Sequence, residues 1–309
     1  MQQYGEYEMR NNNAVAIMPY NTKLGFPLKK NPLDLLDWPL GRPNRLAAST
    51  LTIKDMDCND HLIIDPNKNG LYINPFPFGL NARFIIPPRV SIMFQEPYAI
   101  HKRHMDNLIK THGRFEYILC MHEQLLSSVP NALLVPLGTT WISEPQTITP
   151  PHNKHKKCSI IASNKRYLQG HILRHEIIEW LTNTDIEVDV IGTGYKPFQK
   201  KSEGLSPYYY SVVIENVREK NYFSEKLVDA ILCKTIPIYW GCPNIGDFFD
   251  TSGIIICESK EEILTAMREM SKQNYQELLP SLLNLHEQAH YWSNLHRRAA
   301  IAVLNARNL

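Results

Sequence analysis

Blocks of apolar and polar residues alternate along the second half of the chain and predict strands and helices in turn. Residues 209–214 are an aromatic and β-branched run, the composition of a buried strand. Glu215-Asn216 ends that run with polar groups, and a charged loop follows over residues 217–223. Ser224 is a good N-cap, and Leu227, Val228 and Ile231 recur at helical spacing. A short helix is therefore predicted, its apolar stripe facing a sheet. Residues 235–240 form a second apolar run, stopped by Gly241 and Pro243. Upstream, residues 159–162 predict a strand and 171–181 an amphipathic helix with Ile172, Ile177, Ile178 and Leu181 as its stripe. Residues 186–191 predict another strand, and the Gly192-Thr193-Gly194 that ends it reads as a tight turn. Downstream, 253–257 predict a strand, 261–270 a helix, and 282–304 mostly helix.

The first half is less regular. Residues 62–64 and 84–86 suggest strands, and 90–94 predict a clearer one, followed by Gln95-Glu96-Pro97. Residues 101–111 predict a helix, 117–120 a strand, 123–127 a short helix, and 132–135 a strand leading to Gly138 and Trp141. Residues 1–60 hold Pro27, Pro32, Pro39 and Pro43 and only short apolar runs such as 14–18. Residues 148–157, ITPPHNKHKK, join a Pro pair to a basic polar run and make the best linker. Strands alternating with helices on both sides of it predict a doubly wound α/β architecture. The expected division is a first domain over 1–150, a second over 151–285 and a terminal helix over 286–309.

Composition narrows the partners. Lys and Arg number 33 against 31 Asp and Glu, a net charge of +2, so nothing calls for nucleic acid or an anionic membrane. The six cysteines form no C-x-x-C pair, which points to a reducing compartment. The N-terminus lacks the features of a signal peptide, and no apolar run approaches the ~20 residues of a membrane span. The expectation is a soluble, cytoplasmic protein.

The helix predicted after Ser224 is where chemistry is expected. A helix N-terminus offers unpaired N–H groups and partial positive charge, which suits phosphate. Lys226 in the first turn is electrostatically misplaced without a partner, and a phosphate lying across the helix start would explain it. Glu225 is placed to accept hydrogen bonds from sugar hydroxyls.

Glu215-Asn216, Tyr222, Ser224-Glu225-Lys226 and the strand Ile236-Pro237-Ile238-Tyr239-Trp240-Gly241 together resemble the donor-binding signature of alpha-1,3-fucosyltransferases and of the related exostosin-like glycosyltransferases. Val217 stands where that pattern often has Ser. Ser163-Asn164-Lys165 followed by Arg174 resembles the family's S-N…R element, whose Arg contacts the donor. The resemblance implies a GT-B fold: two Rossmann-like domains facing each other across a cleft, with the terminal helix crossing back to the first. It implies an inverting transfer of fucose or xylose from a GDP- or UDP-linked donor to a hydroxyl of a glycan or glycoprotein, with no bound metal or other cofactor. The donor residues it implies are Ser163, Asn164, Arg174, Glu215, Asn216, Tyr222, Phe223, Ser224, Glu225 and Lys226. Glu215 has a second reading, as the residue that shapes the loop. The general base is expected from the first domain, where Glu96 matches a family Glu; Asp60, His61 and Asp65 are the rivals.

Other motifs point elsewhere. Asp55-Met56-Asp57 mimics a D-x-D metal site but sits in an acidic loop without a clear strand before it. His286-Glu287-Gln288-Ala289-His290 fits H-E-x-x-H, and His296 stands where a third zinc ligand falls, so a zinc metalloprotease is one alternative. Ser293 occupies the place of the turn glycine, and no Met follows Met270 to form a Met turn. His171 and His175, four apart, read as a polar helix face. A non-catalytic sugar-binding protein on a transferase fold is the second alternative.

Overall fold

The computed structural model describes residues 15–19, 61–65, 90–94 and 97–307. Two parallel five-stranded sheets organise them. The first takes β1 (Val15–Pro19), β2 (His61–Asp65), β3 (Val90–Phe94), β4 (Ile118–Cys120) and β5 (Ala132–Leu134) in chain order. Helices α1 (Tyr98–Thr111) and α2 (Glu123–Ser128) connect its last three strands. Met105 and Leu108 of α1 pack against Ile92, Phe94, Ile118 and Cys120. The strand expected over 84–86 lies outside the described residues, as do Asp55, Asp57, Asp60 and Glu96.

The second sheet contains β6 (Lys156–Ile161), β7 (Asp189–Ile191), β8 (Tyr208–Ile214), β9 (Ile236–Trp240) and β10 (Ile255–Ile256), in the order β10-β9-β8-β6-β7. Strands β8 and β9 are central, which is why their sequences are continuous apolar runs rather than alternating ones. The order reverses between β6 and β8. In such sheets the helices on either side diverge at that point and leave a crevice beyond the strands' carboxyl ends. Those ends are Ala162-Ser163 and Glu215-Asn216. The crossovers are α3 (Gln169–Leu181), after β6, and α4 (Glu225–Leu232), after β8.

The C-terminal helices differ from the expectation. Helix α5 (Lys260–Glu269) is followed by α6 (Lys272–Ser293), which starts ten residues earlier than the sequence pattern suggests and contains Pro280. Proline normally breaks a helix interior. Here Ser271 caps the start, and buried Tyr275, Leu282, Leu285 and Ala289 hold both sides of the Pro in the second lobe's core. After Asn294, α7 (Leu295–Arg307) leaves that core: Leu295, Ala299, Ala300 and Val303 pack on Met93 and Leu119 of the first sheet and on Val135, just after β5. The buried Arg298 guanidinium fixes the crossing by donating to the carbonyls of Trp292, Pro136 (2.8 Å) and Gly138 (2.6 Å).

Candidate functional site

The head of α4 is built from Glu215 outward. This residue is fully buried at the end of β8. Its Oε1 accepts from the Ser224 amide at 2.8 Å and its Oε2 from the Ser224 hydroxyl at 2.6 Å. Ser224 in turn caps the helix, its Oγ accepting from the Lys226 amide. The Lys226 ammonium folds back over this cap. It lies 3.0 Å from Ser224 Oγ, 3.3 Å from Glu225 Oε1 and 3.5 Å from Glu215 Oε2. Lys226 would be misplaced only without a partner, and two carboxylates pair it. Burial disfavours the charge on Lys226, but Glu225 and Glu215 outweigh that and raise its pKa. Burial likewise works against the Glu225 carboxylate, and Lys226 and Lys201 bring its pKa down to about 2.

Helix α3 brings in Arg174. It can come close because Gly170 has no side chain: a Cβ there would sit 1.7 Å from the Glu215 carbonyl oxygen. The Gly170 amide donates to Asn216 O at 2.9 Å, stitching α3 to the end of β8. Arg174 is buried, with Nε and Nη2 both donating to Ile214 O and Nη2 also to Asn216 Oδ1 at 3.2 Å. Nη1 has no hydrogen-bond partner among the described residues. The guanidinium is therefore fixed from behind and open on one side.

These groups line a cavity of about 690 Å³ between the lobes, with Ile100, Leu137 and Trp141 contributed by the first half of the chain. Of the expected donor residues, Ser163, Arg174, Asn216, Tyr222, Ser224, Glu225 and Lys226 meet on its wall. Three do not. Phe223 is buried among the rings of Phe248, Phe249 and Trp292, 5.2 to 5.4 Å away, so its role is packing. Glu215 lies behind the wall and holds the cap. Asn164 is exposed and packs on Gly194, where a Cβ would lie 1.5 Å from its Oδ1. Gly192 and Gly194, at φ 120° and 100°, form the tight left-handed turn that lets Gly192 hug the Ala162 carbonyl.

Lys201, His171 and His175 are buried residues outside the donor set expected from the sequence, and the first two line the cavity. Lys201 is buried and pairs with Asp229 at 2.7 Å and Glu225 at 3.7 Å. Its ammonium lies 4.8 Å from the centroid of Trp141, which is 64% exposed. His171 and His175 are both buried, which corrects their reading as a polar face. His175 bridges Tyr195 Oη (2.7 Å) and Lys165 O (3.2 Å). His171 reaches the cavity; its Nδ1 accepts from the Leu168 amide at 3.3 Å, which leaves the neutral ring's proton on Nε2. Burial, with Arg174, Lys165 and Lys226 nearby, pushes its pKa down to about 4. Lys201 left no local signal, because Glu225, Asp229 and Trp141 come from distant parts of the chain.

The alternative metal motif fares differently. His286 is half-buried and His290 exposed on α6, their rings 4.6 Å apart. Among the described residues no three His, Cys, Asp or Glu side chains are grouped to hold a metal ion. The side chain of His296, the candidate third ligand, lies outside what the structure describes. Cys120, Cys158, Cys233, Cys242 and Cys257 are buried free thiols. No helix among the described residues is long and apolar enough to cross a membrane.

A two-lobed parallel α/β protein with a polar crevice at the switch point of its second sheet is the class that fold and site define. Residues 151–279, most of the second lobe, match the family described as glycosyltransferase family 10 (fucosyltransferase), C-terminal part. An alpha-(1,3)-fucosyltransferase of Helicobacter pylori is 37% identical over 57 residues, which are 18% of this chain and 12% of that protein. A fucosyltransferase-like protein of Arabidopsis thaliana is 27% identical over 121 residues, 38% of this chain and 23% of that protein. The matches thus span less than a quarter of either relative. A crystal structure of an alpha1,3-fucosyltransferase with GDP superposes with a TM-score of 0.50 at 18% identity, covering 89% of this chain and 84% of that one. Another structure of an alpha1,3-fucosyltransferase gives 0.51 at 16%, with the same coverage. Identity this low speaks for the fold, and the fold is the GT-B type.

Proposed function

We propose that the chain is a glycosyltransferase moving a sugar, fucose in first place, from a nucleotide-diphosphate donor to a glycan hydroxyl. The observation that carries this reading is Arg174: a buried guanidinium, pinned from behind, on the wall of the cavity that the head of α4 also lines. A diphosphate there would meet Arg174 Nη1 and the positive end of α4, groups that suit an anion and that stabilise charge as it leaves. Lys226 adds its charge while its two carboxylate partners hold it in place. Trp141 and Tyr167, both exposed beside the cavity, offer faces for a base or a sugar ring.

The step proposed is direct displacement with inversion and without a metal. A base from the first lobe takes the acceptor proton, the acceptor oxygen bonds to the sugar's anomeric carbon, and that carbon's bond to the diphosphate oxygen breaks. Glu96 is the proposed base. GDP is preferred over UDP because the family match falls on the fucosyltransferase side and one structural neighbour was solved with GDP. The test is a thermal-shift screen over GDP-, UDP- and CMP-sugars, since a ligand of the native state raises its stability by mass action. A shift with GDP-fucose, absent in the Arg174→Ala variant, supports the reading; no shift with any nucleotide overturns it.

A further inference from the structure

The loop joining β8 to α4 lines the cavity at both ends, through Asn216 and Tyr222, yet its middle faces the other way. Three consecutive residues there each bond to the first lobe. Glu219 Oε2 accepts from the Tyr98 amide at 3.4 Å. Lys220 pairs with Glu123 at the start of α2. Asn221 Nδ2 donates to Met121 O at 3.2 Å. Asn221 takes a left-handed backbone, φ 64°, which turns the loop at this point, and Asn244 fixes it by accepting from its amide (2.8 Å) and donating to its Oδ1 (2.9 Å). Around the loop, Val217 and Tyr222 pack on Met121 and Leu168 with Ile100 of α1.

The Glu219 contact differs in kind from the other two. Helix α1 begins after Pro97, has no side-chain cap of its own and has no acidic residue in its first turn. A helix start in that state has orphan N–H groups and an uncompensated partial positive charge. The half-buried Glu219 carboxylate supplies the missing cap across the lobe boundary. Helix α1 carries Ile100 to the wall of the cavity and directly follows the segment that holds Glu96 in the sequence. By contrast, the Lys220–Glu123 pair has both side chains more than half exposed, where solvent screening leaves ion pairs little energy.

We propose that Glu219 is a positioning residue, which transmits occupancy of the donor cavity to the first lobe by capping α1 from the donor loop. A ligand that orders Asn216 and Tyr222 also orders the loop between them, and with it the carboxylate that holds the start of α1. This inference rests on the donor reading above, and its test separates the two. Backbone hydrogen exchange is followed with and without saturating GDP in the wild type, Glu219→Ala, Glu219→Gln and Lys220→Ala. In the wild type, GDP should slow exchange in the first turn of α1 by about fivefold, the scale of a helix cap. Glu219→Ala should keep GDP binding and the protection of α4 but lose the effect on α1; Glu219→Gln, which retains an acceptor oxygen, should keep part of it; Lys220→Ala should match the wild type. With GDP-fucose and an acceptor, Glu219→Ala should lower kcat and leave the donor KM unchanged. Equal protection of α1 in Glu219→Ala and the wild type overturns the inference and leaves the donor reading intact. Failure of GDP to bind the wild type overturns the donor reading itself.

Discussion

Glu215 holds Ser224 by two hydrogen bonds, one to its amide and one to its hydroxyl, with Lys226 3.5 Å away on the same carboxylate oxygen. A single buried side chain therefore sets both the cap of α4 and the position of its lysine. Glu215→Ala leaves the amide and the ammonium without that partner. It should cost ~3 kcal/mol of stability, the scale for breaking a buried charged pair, and should weaken nucleotide binding through the displaced helix head. Denaturant unfolding and GDP titration check the two effects separately.

Arg174→Lys preserves the charge and removes the fork. One ammonium cannot replace Nε and Nη2 on Ile214 O and Asn216 Oδ1 and still face the cavity. GDP affinity should fall about 10- to 100-fold, the value of a hydrogen bond to a charged group. Calorimetric titration measures it; affinity equal to wild type would remove Arg174 from the donor site.

Gly170→Ala tests the approach of α3 to β8. The added methyl group meets backbone, the Glu215 carbonyl oxygen 1.7 Å away, and backbone cannot swing aside as a side chain does. The helix must shift, taking Arg174 and His171 with it. The expected result is a loss of ~2–3 kcal/mol, the scale of overpacking, together with lost nucleotide binding.

His171 makes stability depend on pH. Its pKa drops from 6.5 to about 4 on folding, because burial and the cations Arg174, Lys165 and Lys226 oppose a further positive charge. The unfolded chain therefore binds the proton first on acidification. The stability associated with the neutral ring is complete above pH 6.5 and is lost as pH falls from there to about 4. Unfolding measured at pH 7.5 and pH 5 should show a smaller loss in His171→Gln than in the wild type. Equal losses would mean that the ring is protonated in the native protein.

Glu96→Gln bears on the chemistry alone. With the acceptor proton left in place, turnover should fall by at least ~100-fold, the lower range for a general base, while donor affinity is retained. Unchanged turnover would transfer the role to Asp60, His61 or Asp65.

Much of the second lobe was legible because its signals are local. The strand at 208–214, the Ser224 cap and the apolar stripe of α4 are each set by residues within one or two turns of one another. The Arg174 element was put forward by resemblance, and the structure brings Ser163 and Arg174 to the cavity wall. The start of α6 was not legible in the sequence, because the helix runs through Pro280 and core packing on both sides of that residue holds it. Phe223 was misassigned because adjacency to Tyr222 and Ser224 does not show which way a side chain turns; the one before it and the one after it face the cavity, and Phe223 faces Trp292.

By itself, then, the amino-acid order determined the alternation of strands and helices, the parallel α/β class and a polar break at the end of β8 followed by a capped helix. Only the tertiary structure decided that Lys226 is paired, that Glu215 supports the site from behind, that Lys201 reaches Glu225 and Asp229, and that Glu219 caps a helix in the other lobe. The reason is the range of the forces involved. Periodicity and capping act within a few residues, but the charge that surrounds a buried side chain comes from whichever segments the sheet order and the lobe contact bring beside it, and Tyr98 and Glu219 are 121 positions apart.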